Sequence, residues 1–143
     1  MRATTRDPRR VPEIEAAGAE AVVGDPDVIA TLARSFEHVS LACILLGSAV
    51  GSGERIAALH GTRLEMLLSR MVDTTVRGVV YEARGSVDRA VLDAGAALVR
   101  ERCEEARIPY GLLRADPADP GAWTAAAVDA VSRTLDGGPG RPR

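Results

Sequence analysis

Lysine is absent from this chain: all 18 basic residues among its 143 are arginine. The absence excludes chemistry that needs an ammonium group, such as a Schiff base, a phosphate-loop lysine or the Tyr-x-x-x-Lys pair of many dehydrogenases. Aromatic residues are also scarce, at 3%, and the net charge is -2. Single-stranded nucleic acid is bound through a basic groove with stacking aromatics, so we expect no nucleic-acid partner.

Long apolar runs are missing as well. The longest, Val39 to Leu46, is interrupted by Ser40 and is far shorter than the roughly 20 residues of a bilayer-spanning helix. The arginine-rich segment 1–10 has no apolar stretch behind it and does not look like a secretory signal. Cys43 and Cys103 lie far apart without a CxxC neighbourhood, which favours buried, reduced thiols. We therefore expect a cytoplasmic protein with no membrane partner.

Asp-Pro pairs divide the chain into repeating units. An aspartate can cap a helix and a proline is tolerated at its first position, so each pair indicates a helix start. The pairs are Asp7-Pro8, Asp25-Pro26, Asp116-Pro117 and Asp119-Pro120. Segments with the composition of strands precede these pairs or lie between amphipathic segments. The predicted strands are Arg2–Arg6, Glu20–Val23, Val39–Leu46, Val79–Ala83 and Tyr110–Arg114.

A helix is predicted after each strand. The predicted helices are Ile14–Ala17, Val28–Phe36, Glu54–Met71, a segment from Ser86 to Ala106, and Ala122–Leu135. This alternation predicts an α/β fold: a doubly wound parallel sheet of about five strands with helices on both faces. We expect a single domain over residues 1–136 and a disordered tail over residues 137–143, which is rich in glycine and proline.

Metal ligands and catalytic groups are not evident in the sequence. Neither His38 nor His60 has a cysteine, histidine or carboxylate at ligand spacing, and a metal site needs three or four ligands. We expect no metal and two ordinary histidines. Glu82 and Arg84 follow a predicted strand and form the most site-like pair, because ligands of open α/β sheets bind outside the carboxyl ends of strands. We interpret that pair as a surface ion pair, and no residue is predicted to be catalytic.

Five short motifs in order resemble one family, and together they span Arg2 to about Leu135. The motifs are Ala3-Thr4-Thr5-Arg6-Asp7-Pro8, Ala21-Val22-Val23-Gly24-Asp25, Gly61-Thr62-Arg63 with Leu67-Leu68, Val79-Val80-Tyr81, and Ile108-Pro109-Tyr110-Gly111-Leu112-Leu113-Arg114. They look like strands two, three, five and six and the helix after strand four of the atypical and extended short-chain dehydrogenase/reductases. These are the NAD-dependent epimerase/dehydratase-like, NAD(P)-binding Rossmann proteins.

The resemblance implies a cofactor, NADP or NAD, and the residues that would bind it. Thr5 and Arg6 end the family's second strand, where an arginine favours the extra phosphate of NADP; the alternative is a solvated arginine. Gly24 and Asp25 match the pair that sits near adenine in the family. Gly47 begins a glycine-rich loop that could let a ribose approach the backbone, or that is simply flexible.

What the sequence lacks relative to the family affects the expected function. The family's first strand, its Gly-x-x-Gly-x-x-Gly turn and the following helix, whose free amides hold the pyrophosphate, have no counterpart here. Tyr81 is followed at the lysine spacing by Gly85, and Tyr110 by Arg114 in a strand. We therefore expect a Rossmann-like domain missing its usual first βα unit, inactive as given and binding the cofactor weakly or not at all. Any activity would be NAD(P)-dependent oxidoreductase or epimerase chemistry.

The missing strand would lie in the middle of the family's sheet, between two strands that would otherwise face each other unpaired. Three explanations remain open: the true start lies upstream of Met1, the two half-sheets close up, or a partner chain fills the gap. The alternative function is accordingly a non-catalytic interaction module that keeps the fold and uses the unpaired edge to form a homo-oligomer or to bind another partner.

Overall fold

The structure, a computed structural model, describes residues 1–137, and these contain five strands among seven helical segments. The strands are β1 (Arg2–Thr5), β2 (Glu20–Val23), β3 (Ala42–Ile44), β4 (Val79–Glu82) and β5 (Tyr110–Leu113). The α-helices are α1 (Val11–Ala16), α2 (Gly53–Leu59), α3 (Thr62–Val72), α4 (Arg89–Ala106) and α5 (Pro120–Leu135), and an eight-residue 3-10 helix spans Ile29–Phe36. A short 3-10 turn, Pro8–Arg10, leads into α1.

All strand pairs are parallel, but the strands form two sheets. One sheet pairs β1 with β2, and the other has the order β3-β4-β5. The predicted fold class, a parallel α/β architecture of five strands flanked by helices, is confirmed. The strands do not form one continuous sheet, however, because β1 and β3 are not paired with each other. The two half-sheets therefore have not closed up, which removes one of the three explanations considered above.

Caps explain where several helices begin. Asp7 and Asp119 each accept a hydrogen bond from the first-turn amides ahead of a proline, as predicted, and the last helix starts two residues earlier than expected. The Asp25-Pro26 and Asp116-Pro117 pairs instead form turns in which the aspartate accepts from the amide two residues on. Two of the four pairs thus mark turns, because the same aspartate geometry stabilises both structures.

The predicted helix Glu54–Met71 is two helices. α2 ends at Leu59 and α3 starts at Thr62, and between them His60 turns inward and is buried. A side chain at Gly61 would place its Cβ 2.9 Å from the Ala57 carbonyl oxygen, so the tight break needs a glycine there. The predicted strand Val39–Leu46 is likewise shorter, since only Ala42–Ile44 pairs with β4.

The core lies on one face of the three-stranded sheet. Side chains on a strand alternate between faces, so Tyr81 points into this core and Glu82 points to the opposite face. The core face is covered by α3 and α4, with Leu68 and Val99 among its buried residues. The opposite face is covered by α5, where Thr134 packs against Gly78 and Gly111. Helices therefore cover both faces of this sheet.

A few polar contacts and one apolar segment connect the smaller sheet to the larger one. The Arg2 guanidinium donates to the carbonyl oxygens of Arg34, Ser35 and Glu37 at the end of the 3-10 helix, at 3.3, 3.1 and 3.0 Å. That helix buries Ile29, Leu32 and Phe36 in the core of the larger sheet. The Arg55 side chain, on α2, also donates to Asp27, after β2, at 2.6 Å.

The structure bears on the expectations for the two cysteines, for the C-terminal tail and for membrane-spanning helices. Cys103 is buried as expected, whereas Cys43 is exposed on β3, because β3 lacks a neighbour on one side. Most of the tail predicted to be disordered, residues 138–143, lies outside the described residues; Gly137 is buried, and its amide donates to the Thr134 carbonyl oxygen at 3.2 Å. Within residues 1–137, no helix is long and apolar enough to span a membrane.

Candidate functional site

An open cavity of about 440 Å³ lies at the carboxyl ends of β3, β4 and β5. Its wall is formed by the loop after β3, by Glu82 at the end of β4, and by the start of α5 with the loop before it. In open α/β sheets this is the edge at which ligands bind, because loops there are free to vary while the strands hold them in place. We call it the carboxyl-edge cavity.

Glu82 is the charged residue in the wall of this cavity, and it is only 5% exposed. Its Oε1 accepts a hydrogen bond from the Gly47 amide at 2.7 Å, and its Oε2 accepts one from the Trp123 indole at 2.8 Å. The expected surface ion pair with Arg84 is therefore wrong. Arg84 instead pairs with Asp116 at 3.0 Å, and both Glu82 oxygens are engaged by the Gly47 amide and the Trp123 indole.

Two glycines make the close approach of β3 and β4 at this edge possible. A Cβ at Gly85 would lie 2.1 Å from the Gly47 carbonyl oxygen, and one at Gly47 would lie 2.6 Å from the Arg84 carbonyl oxygen. The Gly47 carbonyl also accepts from the Val87 amide at 3.0 Å. The loop after β3 is thus held against the loop after β4 by direct backbone contact, which fixes the amide that Glu82 binds.

A buried hydrogen-bonded chain lies on the core face of the same strands. His60 Nε2 lies 3.0 Å from the Leu46 carbonyl oxygen and Nδ1 lies 2.6 Å from the Tyr81 hydroxyl. A carbonyl can only accept, so Nε2 carries the proton and Tyr81 donates to Nδ1. Burial lowers the pKa of His60, partly opposed by the Leu46 carbonyl and the charge of Glu82. Burial raises the pKa of Tyr81, with a further contribution from Glu82.

The predicted cofactor residues fall into two groups. Thr5, Arg6, Gly24 and Asp25 lie together at the carboxyl edge of the smaller sheet, where the Gly24 amide donates to the Thr5 carbonyl oxygen at 2.9 Å. Gly47 lies on the larger sheet, beside Glu82.

The geometry limits what each of these residues can do. Gly24 is closely packed, since a Cβ there would lie 2.7 Å from Leu32. Arg6 is exposed, and its side chain has no hydrogen bond or ion pair in the part of the chain that the structure describes. Asp25 accepts from the Asp27 amide at 2.9 Å. Thr5 stabilises the turn at Asp7 through its hydroxyl.

Trp123 was not predicted as a site residue. It lies one turn into α5, four residues after the cap Asp119, and this places its indole opposite the end of β4. The available signal was a glutamate directly after the apolar run Val79-Val80-Tyr81, since a charge in a strand buried on both faces needs polar partners. No group of three or more metal-ligating side chains occurs within residues 1–137.

Comparisons with known proteins identify the fold. A triphenylmethane reductase from Citrobacter sp. resembles this chain in two solved structures, one of them described as complexed with NADP(H); each has a TM-score of 0.59 and 21% sequence identity. Each comparison covers 78% of this chain and 38% of the reductase, so the chain spans less than half of the reductase's length. The sequence matches no family model and no curated protein. At this identity the similarity shows that the fold is a Rossmann-like α/β fold.

Proposed function

We propose that this chain is an NAD(P)-binding Rossmann-like domain of the short-chain dehydrogenase/reductase type that lacks tyrosine-lysine chemistry. The observation that carries the proposal is the shared fold with a reductase whose structure is described as complexed with NADP(H). The clustering of Thr5, Arg6, Gly24 and Asp25 at one sheet edge supports it, because the adenine-side positions implied by the family resemblance are adjacent in space. A cytoplasmic location is part of the same proposal.

Arg6 determines the preferred cofactor in this proposal. Its exposed guanidinium lies one residue beyond β1 and, within the described chain, makes no ion pair that would compete with a phosphate. Arginine recognises phosphate through paired N–H donors, so a 2′-phosphate would be bound and a bare ribose would not. NADP is therefore preferred over NAD.

The affinity should be low, because residues 1–137 place no glycine-rich turn leading into a helix beside the open edge of β1. A diphosphate bound without such amides forfeits several charge-assisted hydrogen bonds of about 1.5 to 3 kcal/mol each. Losing two weakens binding roughly a hundredfold or more. The chain as given should bind NADP no more tightly than about the millimolar range, and a family-like first strand and glycine turn added upstream should tighten binding.

Calorimetric titration with NADP and NAD tests this proposal. Weak binding that favours NADP and loses its preference in Arg6→Ala supports it. Arg10→Ala is the matched control, because Arg10 is also exposed near the end of β1 but is paired with Glu13 at 3.0 Å. No binding of either nucleotide, even by the extended chain, would overturn the proposal. Micromolar NADP affinity without the added first strand and glycine turn would contradict the predicted weak binding, because the phosphates would then be held by groups not identified above.

Catalysis of the family's usual kind is not part of the proposal. Tyr81 is fully buried with its hydroxyl bonded to His60, and the Tyr110 hydroxyl donates to Glu104 at 3.0 Å. Neither hydroxyl is presented to the carboxyl-edge cavity. We expect no steady NADPH turnover with ketone, secondary-alcohol or sugar-nucleotide substrates. Turnover that Tyr81→Phe or Tyr110→Phe abolishes would contradict this.

A second candidate function, self-association through the sheet edges, is favoured by the separation of the two sheets. Parallel pairing uses alternate residues, so the peptide groups of Arg2 and Thr4 point away from β2 and those of Cys43 point away from β4. Unpaired edges of this kind recruit further strands. The occupant we propose is a second copy of the chain.

Analytical ultracentrifugation over a range of concentrations tests self-association. Thr4→Pro removes one amide donor from the open edge of β1, and proline is tolerated at a strand edge. Thr4→Val keeps that amide and is the matched control. A dimer weakened by Thr4→Pro and not by Thr4→Val supports edge pairing. A monomer at every concentration excludes it.

A further inference from the structure

Glu82 is a buried carboxylate whose partners within residues 1–137 are neutral. It is bound by one backbone amide and one indole N–H, while Arg84, the nearest basic residue in the chain, is engaged with Asp116. An ionised carboxylate offers about four acceptor positions, so the two bonds leave capacity on both oxygens. Burying a charge without a cation is costly, and that cost falls when a cation binds beside it.

The lining of the carboxyl-edge cavity matches this charge. Six of its lining residues are leucine, alanine, proline or tryptophan, and Ser48 and Thr124 add hydroxyl groups. Among the described residues that line it, Glu82 is the only charged one. A cavity of about 440 Å³ lies within the range of small-molecule sites. Its chemistry therefore fits an apolar body that carries one positive group.

The first turn of α5 has the opposite preference and must be weighed against Glu82. A helix N-terminus behaves like roughly half a positive charge and favours anions. Here the Asp119 carboxylate accepts from the Ala122 amide and already offsets part of that charge. Glu82 contributes a full negative charge inside the wall, at a site with less solvent screening. The balance favours a cation.

We propose that the carboxyl-edge cavity binds a small organic ammonium ion with an apolar body, whose N–H groups donate to Glu82. An ammonium with N–H donors fits better than a quaternary one, because the free acceptor positions of Glu82 need hydrogen bonds as well as charge. This inference is independent of nucleotide binding. Failure of the NADP titration would leave it intact, and its own failure would leave the NADP proposal intact.

Trp123 makes the test direct, because it is the only tryptophan in the chain and it lies in the cavity wall beside Glu82. Indole fluorescence is followed while benzylammonium, benzyl alcohol and benzoate are titrated into the wild-type protein. These probes share a ring and differ in charge. We expect saturable binding of benzylammonium at least about tenfold tighter than binding of the other two, a difference of 1.4 kcal/mol. Equal affinities, tighter binding of benzoate or no saturable signal with benzylammonium would overturn the proposal.

A variant pair assigns the selectivity to Glu82. Glu82→Gln removes the charge and should abolish at least about nine-tenths of the preference for benzylammonium over benzyl alcohol. Asp129→Asn is the matched control, since Asp129 is an exposed carboxylate on α5, away from the cavity, and is paired with Arg133. Circular dichroism establishes that both variants are folded. A folded Glu82→Gln protein with unchanged selectivity contradicts the proposal, and if that variant does not fold, the wild-type probe series decides.

Discussion

The two sheets of this protein differ in how completely their strands are covered. Every residue of β4 is buried, since helices pack on both faces of the three-stranded sheet. In β1 and β2 no residue is buried, and Val23 is among the exposed large apolar side chains. Apolar burial contributes about 25 cal/mol per Å² removed from water. Most of the folding free energy therefore comes from the larger sheet and its helices.

The smaller sheet is therefore attached to the larger one mainly by a few specific contacts, and not by apolar packing of its own two strands. Its attachments are the Arg2 contacts with three carbonyl groups, the Asp27–Arg55 ion pair and the 3-10 helix whose apolar residues belong to the larger core. Regions with few buried apolar contacts open locally at lower free energy than a core does. The smaller sheet should therefore open independently of the larger one.

Among the tests of this difference, Leu68→Ala in α3 should have the largest effect. Leu68 is 3% exposed in the core of the larger sheet, and truncation there should lower the free energy of unfolding by about 2 to 5 kcal/mol. Met66→Ala, on the same helix with 46% exposure, is the control and should change it by less than about 0.5 kcal/mol. Urea denaturation measures both. A loss for Leu68→Ala as small as the control's would place the main core elsewhere.

Gly95→Ala tests how tightly the larger sheet is packed against α4. A Cβ at this position would lie 2.1 Å from the Tyr81 hydroxyl oxygen, so the buried Tyr81 and its bond to His60 would have to shift. We expect a destabilisation of about 1 to 3 kcal/mol by thermal or urea unfolding. Gly53→Ala, at the start of α2 with no atom within 4 Å of the added Cβ, should not destabilise the protein. Equal effects would mean that α4 is loosely packed.

Arg2→Met tests the attachment of the smaller sheet. It keeps an apolar stem but removes the three hydrogen bonds to the end of the 3-10 helix. It also removes the ion pair with Glu20 on β2, which contributes little because that carboxylate is 63% exposed. Amide hydrogen exchange in β1 and β2 should become about tenfold faster, equivalent to 1.4 kcal/mol of local stability, with β4 unchanged. Arg9→Met, at a solvated position nearby, should change neither. Faster exchange throughout the chain would show that the two sheets open together.

The smallest effect is a pH dependence that belongs to the larger sheet. Because burial lowers the pKa of His60 in the folded state, the unfolded chain takes up a proton first as the pH falls below about 6.5. Stability should therefore be full above about pH 7 and decline towards pH 5, by no more than about 1.4 kcal/mol per pH unit. His60→Gln should flatten this decline, and His38→Gln, at an exposed position, should not. An unchanged slope in His60→Gln would exclude His60 as its source.

The order and type of the strands could be predicted because they depend on local signals. Val79-Val80-Tyr81 is a short apolar run, and Asp119 with Pro120 caps a helix through contacts within four residues. The division into two sheets could not be predicted from such signals, since it depends on whether β1 and β3 meet across nearly forty residues of chain. The break between α2 and α3 was missed because the apolar period continues through His60 and Gly61.

The candidate site was predicted only in outline. The carboxyl ends of the strands were the expected location, and Glu82 was singled out there, yet with the wrong partner. Its contacts with Gly47 and Trp123 join positions 35 and 41 residues away, and nothing in the local sequence specifies them. The adenine-side residues were proposed from a resemblance, and their role remains a prediction that the NADP titration would test.

The exposed position of Cys43 provides a chemical probe of the gap between the sheets. Its thiol is exposed on the strand whose outer edge is unpaired, whereas the only other thiol, Cys103, is buried; burial raises the pKa of both thiols, that of Cys103 to about 11. Alkylation with a neutral reagent should thus modify Cys43 far faster than Cys103 in the folded protein. Any strand that comes to lie beside β3, from whatever source, would slow that one reaction. The rate at which a single thiol is alkylated would then measure how often the gap is occupied.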